Sequence, residues 1–264
     1  MPVFKIQIRF LSKIITRFIS LAYLEIQPHL ALQPYIDAYW ISEITGQTLN
    51  KTKILPDGCV DIIFNIEDDY RTETGNILMK SEAIYLIGTM MCFKEYKTIG
   101  KAKLLGVRFK PGAFSYFFKL SSLHEFTDQS IELKDIELPA IHRIDEYTST
   151  YLDHFFIHKF SPPKYSITPV IKDIQQQNGQ LRVSDLAVKH FTTSRQLERH
   201  FKNSVGISPK DFIGLVRYQF ASKKIKNNTS GKCLAELAFE SGYYDHAHFT
   251  KEIKRFTGSV PSQL

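Results

Sequence analysis

Two stretches within the last hundred residues place basic and polar side chains at helical spacing opposite an apolar stripe. In the first, Arg195, Arg199 and Lys202 project away from Leu197, Phe201 and Val205, which recur every four residues. In the second, His246, Thr250, Lys251 and Lys254 are left outward by a buried set of Phe249, Ile253 and Phe256. Guanidinium and ammonium groups on such a face donate to guanine O6 and N7 or to phosphates, and the polar neighbours take further base-edge contacts. Each stretch alone is also a plain amphipathic helix with solvated charges.

The elements around these faces argue for more than solvation. Leu186-Ala187, Leu197, Phe201, Gly206 and Pro209 recur as Leu237-Ala238, Phe249, Ile253, Gly258 and Pro261. The offset is 51 residues at the Leu-Ala pair and 52 from Leu197/Phe249 onward, so the second turn holds one extra residue. Solenoid arrays need at least three copies, whereas two copies suit a pair of helix-turn-helix modules. Ser184 is expected to cap the first helix of the first module, and Thr193 or Ser194 the second. Pro209-Lys210-Asp211 opens a connecting helix that runs to about Lys226 and ends at Asn227-Asn228. A rigid connector lets both modules enter major-groove segments about 34 Å apart on one face of DNA.

These residues resemble the AraC/XylS family of bacterial transcription regulators over residues 164–263. The resemblance is carried by Leu197-Glu198-Arg199-His200-Phe201-Lys202, Gly206-Ile207-Ser208-Pro209, and Glu240-Ser241-Gly242-Tyr243 through Phe249-Thr250-Lys251. It implies base contacts from Arg195, Glu198 and Arg199 in the first recognition helix, and from His246, Ala247, Thr250 and Lys251 in the second. Ser194, Lys202 and Lys254 complete the expected DNA-facing set. Two positions depart from the family pattern: Phe191 stands where glycine is usual, and Ile253 where phenylalanine is usual.

Charge divides the chain in the same place. Residues 164–264 hold 16 Lys or Arg against 8 Asp or Glu, residues 25–163 hold 14 against 19, and residues 1–24 hold four basic residues and no acid. Counterion release rewards the cationic end with DNA affinity that falls steeply with salt. The middle is not a nucleic-acid surface by charge, which disfavours a purely architectural DNA-bending protein.

Length allows two domains, and the expected class is α+β: a β-rich, barrel-like domain at 25–160 and an all-α DNA-binding domain at 164–264. Strand expectations fall on Val60–Phe64, Ile84–Gly88 and Leu104–Phe109, with Tyr35–Ile41 a strand or short helix. Helices are expected from Pro111 through Phe118, near Ser121–Phe126, and over Pro139–His158, ahead of the Ser161-Pro162-Pro163 linker. Lys5, Arg9, Lys13 and Arg17 form a basic stripe on residues 1–24. That stripe suits a membrane-surface or partner-binding helix, a signal-like segment, an element packed on the next domain, or a start codon placed too early, and packing or dispensability is favoured over membrane binding.

The β-rich half resembles an uncharacterised sensor-like module found before AraC-type domains. Its telling strings are Leu55-Pro56-Asp57-Gly58-Cys59-Val60-Asp61 and Gly106-Val107-Arg108-Phe109-Lys110-Pro111-Gly112. The resemblance implies small-effector sensing or self-association as a homodimer. Trp40, Cys59, Asp61 and Arg108 are the candidate pocket residues. Each also has a packing role open to it, and Arg108 can simply pair with Asp61.

The alternative is a small-molecule enzyme fused to a DNA-binding domain. Between Glu25 and Phe109 the only histidine is His29, too few for a metal-dependent barrel, and no Gly-rich phosphate loop, GxSxG or Cys–His pair is present. His154 and His158 stand one turn apart but lack an acidic third ligand at fixed spacing. The expectation is therefore no catalytic residue, metal or cofactor. Cys59, Cys92 and Cys233 are odd in number and widely spaced, as suits a reducing cytoplasm. No run of 18 apolar residues exists to span a membrane. The expected partners are double-stranded DNA, RNA polymerase, and an effector.

Overall fold

Alternating β-branched and aromatic residues build the first half of the chain into antiparallel sheet. The computed structural model describes residues 20–45, 50–71, 78–98, 101–134, 136–229 and 231–264. The strands are β1 (Ser20–Ile26), β2 (Ile36–Thr45), β3 (Asn50–Ile54), β4 (Val60–Asn65), β5 (Tyr70–Arg71), β6 (Leu78–Met79), β7 (Ile84–Ile87), β8 (Lys94–Thr98), β9 (Ala102–Phe109) and β10 (Ser130–Glu132). Six of them form one sheet in the order β1-β2-β9-β4-β7-β10, and β3-β8 and β5-β6 form two-stranded ribbons. Among the described residues the sheet has β1 and β10 as edges and is open, without the expected barrel closure. Tyr35–Ile41 resolves as strand, since Ile36–Thr45 pairs with both β1 and β9.

One face of the sheet buries Ile36, Ile62, Phe64, Leu105, Val107 and Phe109 against an aromatic cluster. Phe109 touches Phe114, Phe117, Phe118 and Phe156 at ring-centroid distances of 5.3–6.2 Å, mostly edge to face. Helix α1 (Thr148–Lys159) supplies Leu152 and Phe156 to this core.

Three expected helices are shorter than read from sequence. Gly112 takes φ +74°, which turns the chain just after Pro111, and only a 3-10 turn at Phe114–Tyr116 follows. Before α1, Asp145 Oδ1 accepts from the Tyr147 amide at 3.0 Å while the Asp145 amide donates to Thr148 Oγ1 at 2.9 Å. This side-chain turn delays the helix to Thr148. The stretch near Ser121–Phe126 is a 3-10 turn at Leu123–Phe126. The basic stripe at Lys5, Arg9, Lys13 and Arg17 lies outside the described residues, and Ser20–Ile26, which includes Leu21 of that expected helix, is strand.

The second half is all helical: α2 (Thr168–Gln176), α3 (Val183–Lys189), α4 (Ser194–Ser204), α5 (Pro209–Lys226), α6 (Leu234–Glu240) and α7 (His246–Thr257), with a closing 3-10 turn at Pro261–Gln263. One core joins Leu186, Leu197, Phe201, Phe212, Leu215, Phe249, Ile253 and Phe256, so both helix-turn-helix units share α5 as a common wall. Truncating Leu197 or Phe249, both fully buried, to alanine costs about 2–5 kcal/mol.

Candidate nucleic-acid interface

Helix α4 starts where its sequence says it should. Thr193 is extended, its hydroxyl accepts from the Gln196 amide at 3.2 Å, and Gln196 Oε1 accepts from the Thr193 amide at 3.2 Å. This reciprocal box satisfies two donors and fixes the helix register. Ser194 is therefore the first helical residue, not the cap. In α7, Asp245 caps by accepting from the His248 amide at 2.7 Å, and Gly258 ends the helix at φ +71°. In α3 the cap position falls on Arg182, without a side-chain bond, and Ser184 sits inside the first turn with its hydroxyl donating to Asp185. The expected Ser184 cap is thus corrected to an uncapped start.

The registers leave Ser194, Arg195, Glu198 and Arg199 exposed on α4. Lys202 is half-buried and pairs with Glu198 at 3.0 Å in an i,i+4 bridge, and among the described residues Arg195 and Arg199 of this face make no ion pair. On α7, His246, Ala247, Lys251 and Lys254 are exposed and Thr250 is half-buried, with its hydroxyl 3.5 Å from His246 Nδ1. All ten residues expected to face DNA lie on the outer sides of the two repeat-equivalent helices. His200 stacks on Tyr165 at 3.9 Å, and burial together with the Arg199 charge lowers its pKa.

Phe191 keeps the turn that glycine usually makes. It holds a left-handed φ of +50° and is 99% exposed, so the turn geometry survives at the cost of backbone strain. Ile253 is fully buried and fills the place of the usual phenylalanine. The extra residue of the second turn is accommodated beside Tyr244, which is 96% exposed.

The four pocket candidates of the first half also come together. Trp40 Nε1 donates to Asp61 Oδ1 at 2.7 Å, Arg108 Nε lies 3.7 Å from the same oxygen, and Cys59 is two residues from Asp61. Sequence reasoning paired Arg108 with Asp61 but missed its other partners: Glu25 at 3.0 Å, Tyr23 at 3.1 Å, Asp57 at 3.8 Å and Asp37 at 3.9 Å. Those come from β1, β2 and the turn before β4, and only the sheet order brings them to one place. Burial pushes the Asp61 carboxyl up to about 7, against the opposing pull of Arg108. Burial also pushes the Cys59 thiol up, with Asp57 and Asp61 adding to it. The His154 and His158 rings lie tilted against each other at 4.1 Å, and His158 Nδ1 bonds the His154 carbonyl at 2.8 Å. Among the described residues, no three His, Cys, Asp or Glu side chains are grouped as metal ligands, and no helix is long and apolar enough to cross a membrane.

Comparison with known proteins follows the same division. Residues 186–264 match the family described as "Helix-turn-helix domain", and residues 24–132 match "Domain of unknown function (DUF6597)". An uncharacterized HTH-type transcriptional regulator of Haemophilus influenzae is 31% identical over 96 residues, 36% of this chain and 32% of that protein. The Msm operon regulatory protein of Streptococcus mutans is 29% identical over 122 residues, 46% of this chain and 42% of its own. The chain thus spans less than half the length of either relative. Among solved structures, ToxT of Vibrio cholerae aligns over 85% of this chain and 96% of its own at 11% identity and a TM-score of 0.43. The C-terminal domain of AraT from Geobacillus stearothermophilus aligns over 37% of this chain and 80% of its own, at 23% identity and a TM-score of 0.34. The carboxyl end of the chain is therefore similar to a helix-turn-helix domain family, and residues 24–132 to a family with no assigned function.

Proposed function

We propose that this protein is a sequence-specific DNA-binding transcription regulator that reads a bipartite operator. The observation that carries this reading is the pair of repeat-equivalent helices α4 and α7, each with a buried apolar back and an exposed face of Arg, Lys, His and Thr. In this reading Arg195, Arg199, His246, Thr250 and Lys251 meet base edges, while Ser194, Lys202 and Lys254 take phosphates. Glu198 and Ala247 complete the base-facing surface, the first for a cytosine amino group and the second for a thymine methyl. The domain at 25–160 senses a small effector through the Trp40, Cys59, Asp61 and Arg108 cluster, or mediates homodimerisation. An effector acts by binding one domain arrangement better than another. The protein works by binding, in the cytoplasm, with RNA polymerase as the machinery it recruits or blocks, and not by catalysis.

The test is selection of genomic fragments by the purified full-length protein at two salt concentrations. Enrichment of one motif with two short blocks a helical turn apart is the expected result. Salt-sensitive retention of every fragment, with no motif, overturns sequence-specific reading.

A further inference from the structure

The carboxyl end of a helix leaves backbone carbonyls without partners inside the helix. At the end of α4 and at the glycine that follows it, side chains of the β-rich domain bond the backbone carbonyls. Thr89 Oγ1 donates to the Val205 carbonyl at 2.5 Å, and the contact is buried. His124 Nδ1 and Thr127 Oγ1 both bond the Gly206 carbonyl, at 2.8 and 2.6 Å. Because a carbonyl only accepts, His124 carries its proton on Nδ1 here. Ser122 Oγ reaches the Lys202 carbonyl at 3.4 Å.

The same domain also touches the end of α7. Gly258 closes that helix, and a Cβ on it would fall 2.4 Å from Phe93 Cζ. Gly206 and Gly258 are equivalent positions of the internal repeat, 52 residues apart, both with positive φ. One part of the β-rich domain therefore abuts the same point of both modules. Its pieces are tied to each other: Asp128 Oδ1 accepts from the Met91 amide at 2.8 Å, Lys94 Nζ donates to the Asp128 carbonyl at 2.7 Å, and the Asp128 amide donates to the Thr89 carbonyl at 3.1 Å. Met91, between them, packs against the helical core.

We propose that Thr89, His124 and Thr127 at the first recognition helix, and Phe93 at the second, are positioning residues that hold the two helices at one separation. The β-rich domain thereby sets which spacing between the two operator blocks the protein accepts. This rests on the bipartite DNA reading above. Helix α5 also joins the two modules, but it touches them from the core side. The clasp closes on their carboxyl ends, so hinging about α5 must break it. The clasp is also continuous with the Arg108 cluster, since Ile87, at the end of β7, pairs with Asp61 of β4.

The experiment uses full-length protein with two lesions: the isosteric double variant Thr89→Val/Thr127→Val, and Phe93→Ala. Thr127→Ser keeps the hydroxyl and serves as the rescue control. Hydrogen exchange of peptides covering 203–209 and 255–260 is measured without DNA, with peptides from β2 and β9 reporting that the sheet is intact. Binding is then measured to the selected operator and to versions with one base pair added or removed between the blocks. The expected result is exchange at least tenfold faster at 203–209 in the double variant and at 255–260 in Phe93→Ala. Preference for the native spacing should fall at least fivefold in both, single-block affinity should stay within twofold, and Thr127→Ser should match wild type. Unchanged exchange overturns the clasp. Faster exchange with spacing preference intact overturns the positioning role, because the contacts would then only add stability. Should the wild-type protein select no operator, the DNA reading fails, and the exchange result alone supports or overturns the clasp.

Discussion

Gly106 of β9 lies directly beneath the Trp40 indole, so close that a Cβ on it would fall 1.9 Å from Trp40 Cε2. The missing side chain is what lets the indole lie against the strand and reach Asp61. Gly106→Ala must therefore displace a ring buried in the sheet and break its hydrogen bond. Overpacking of this kind costs about 1–3 kcal/mol or more. The melting temperature should drop by several degrees, followed by fluorescence of Trp40, which is the single tryptophan of the chain. An unchanged melting curve with wild-type emission would refute the contact.

Asp61 makes stability depend on pH in a defined direction. Its folded-state value is raised from 3.8 to about 7, so between those limits the folded protein binds more protons than the unfolded chain. The contribution of Asp61 to stability is therefore full below about pH 4 and is lost progressively as pH rises through about 7. Urea midpoints should be compared at pH 5, 6, 7 and 8 for wild type and Asp61→Asn, whose amide oxygen still accepts from Trp40. The wild type should lose more stability than the variant as pH rises. Parallel profiles would place the raised carboxyl elsewhere.

Phe191 spends its strain in the open. The left-handed conformation costs a non-glycine residue about 1–2 kcal/mol, and a fully exposed ring has little packing to offset it. Phe191→Gly gives back about 0.5–1 kcal/mol of that through unfolded-chain entropy. A net gain of up to about 1 kcal/mol, read by thermal denaturation, is expected. A loss of stability would mean the ring is held by a contact.

On the recognition faces, Arg199→Ala and Lys251→Ala should each weaken operator binding by about 10–100-fold, the worth of one good base contact. Cys59→Ala, in the β-rich domain and on neither recognition helix, should leave DNA affinity unchanged. Fluorescence anisotropy at constant salt decides it, and wild-type affinity in both face variants would sink the assignment.

The helical half was the more legible in sequence because its signals are local. The repeat of Leu197, Phe201 and Phe249, Ile253 gave both helices and their buried sides at once, and the Thr193/Gln196 box lies within four residues. Ser184 misled because a serine inside a first turn looks like a cap until Arg182 is seen to be the extended residue. In the β-rich half, Val60–Phe64 and Leu104–Phe109 read correctly as strands, yet their order in the sheet did not. These two strands pair with partners 20 to 73 residues away in the chain, and with that order went the open edges and the five-membered environment of Arg108. The contacts of Thr89, Phe93, His124 and Thr127 with the recognition helices carry no sequence signal, since a threonine hydroxyl or a phenylalanine ring looks the same beside any helix.

The Gly206 and Gly258 contacts also bear on how the molecule comes into being. Domains form in order as the chain leaves the ribosome, amino end first. Thr89, Phe93, His124 and Thr127 are thus synthesised before Ser194 to Gly258. On that order the helices of the second half fold against a surface synthesised before them, the first module ahead of the second.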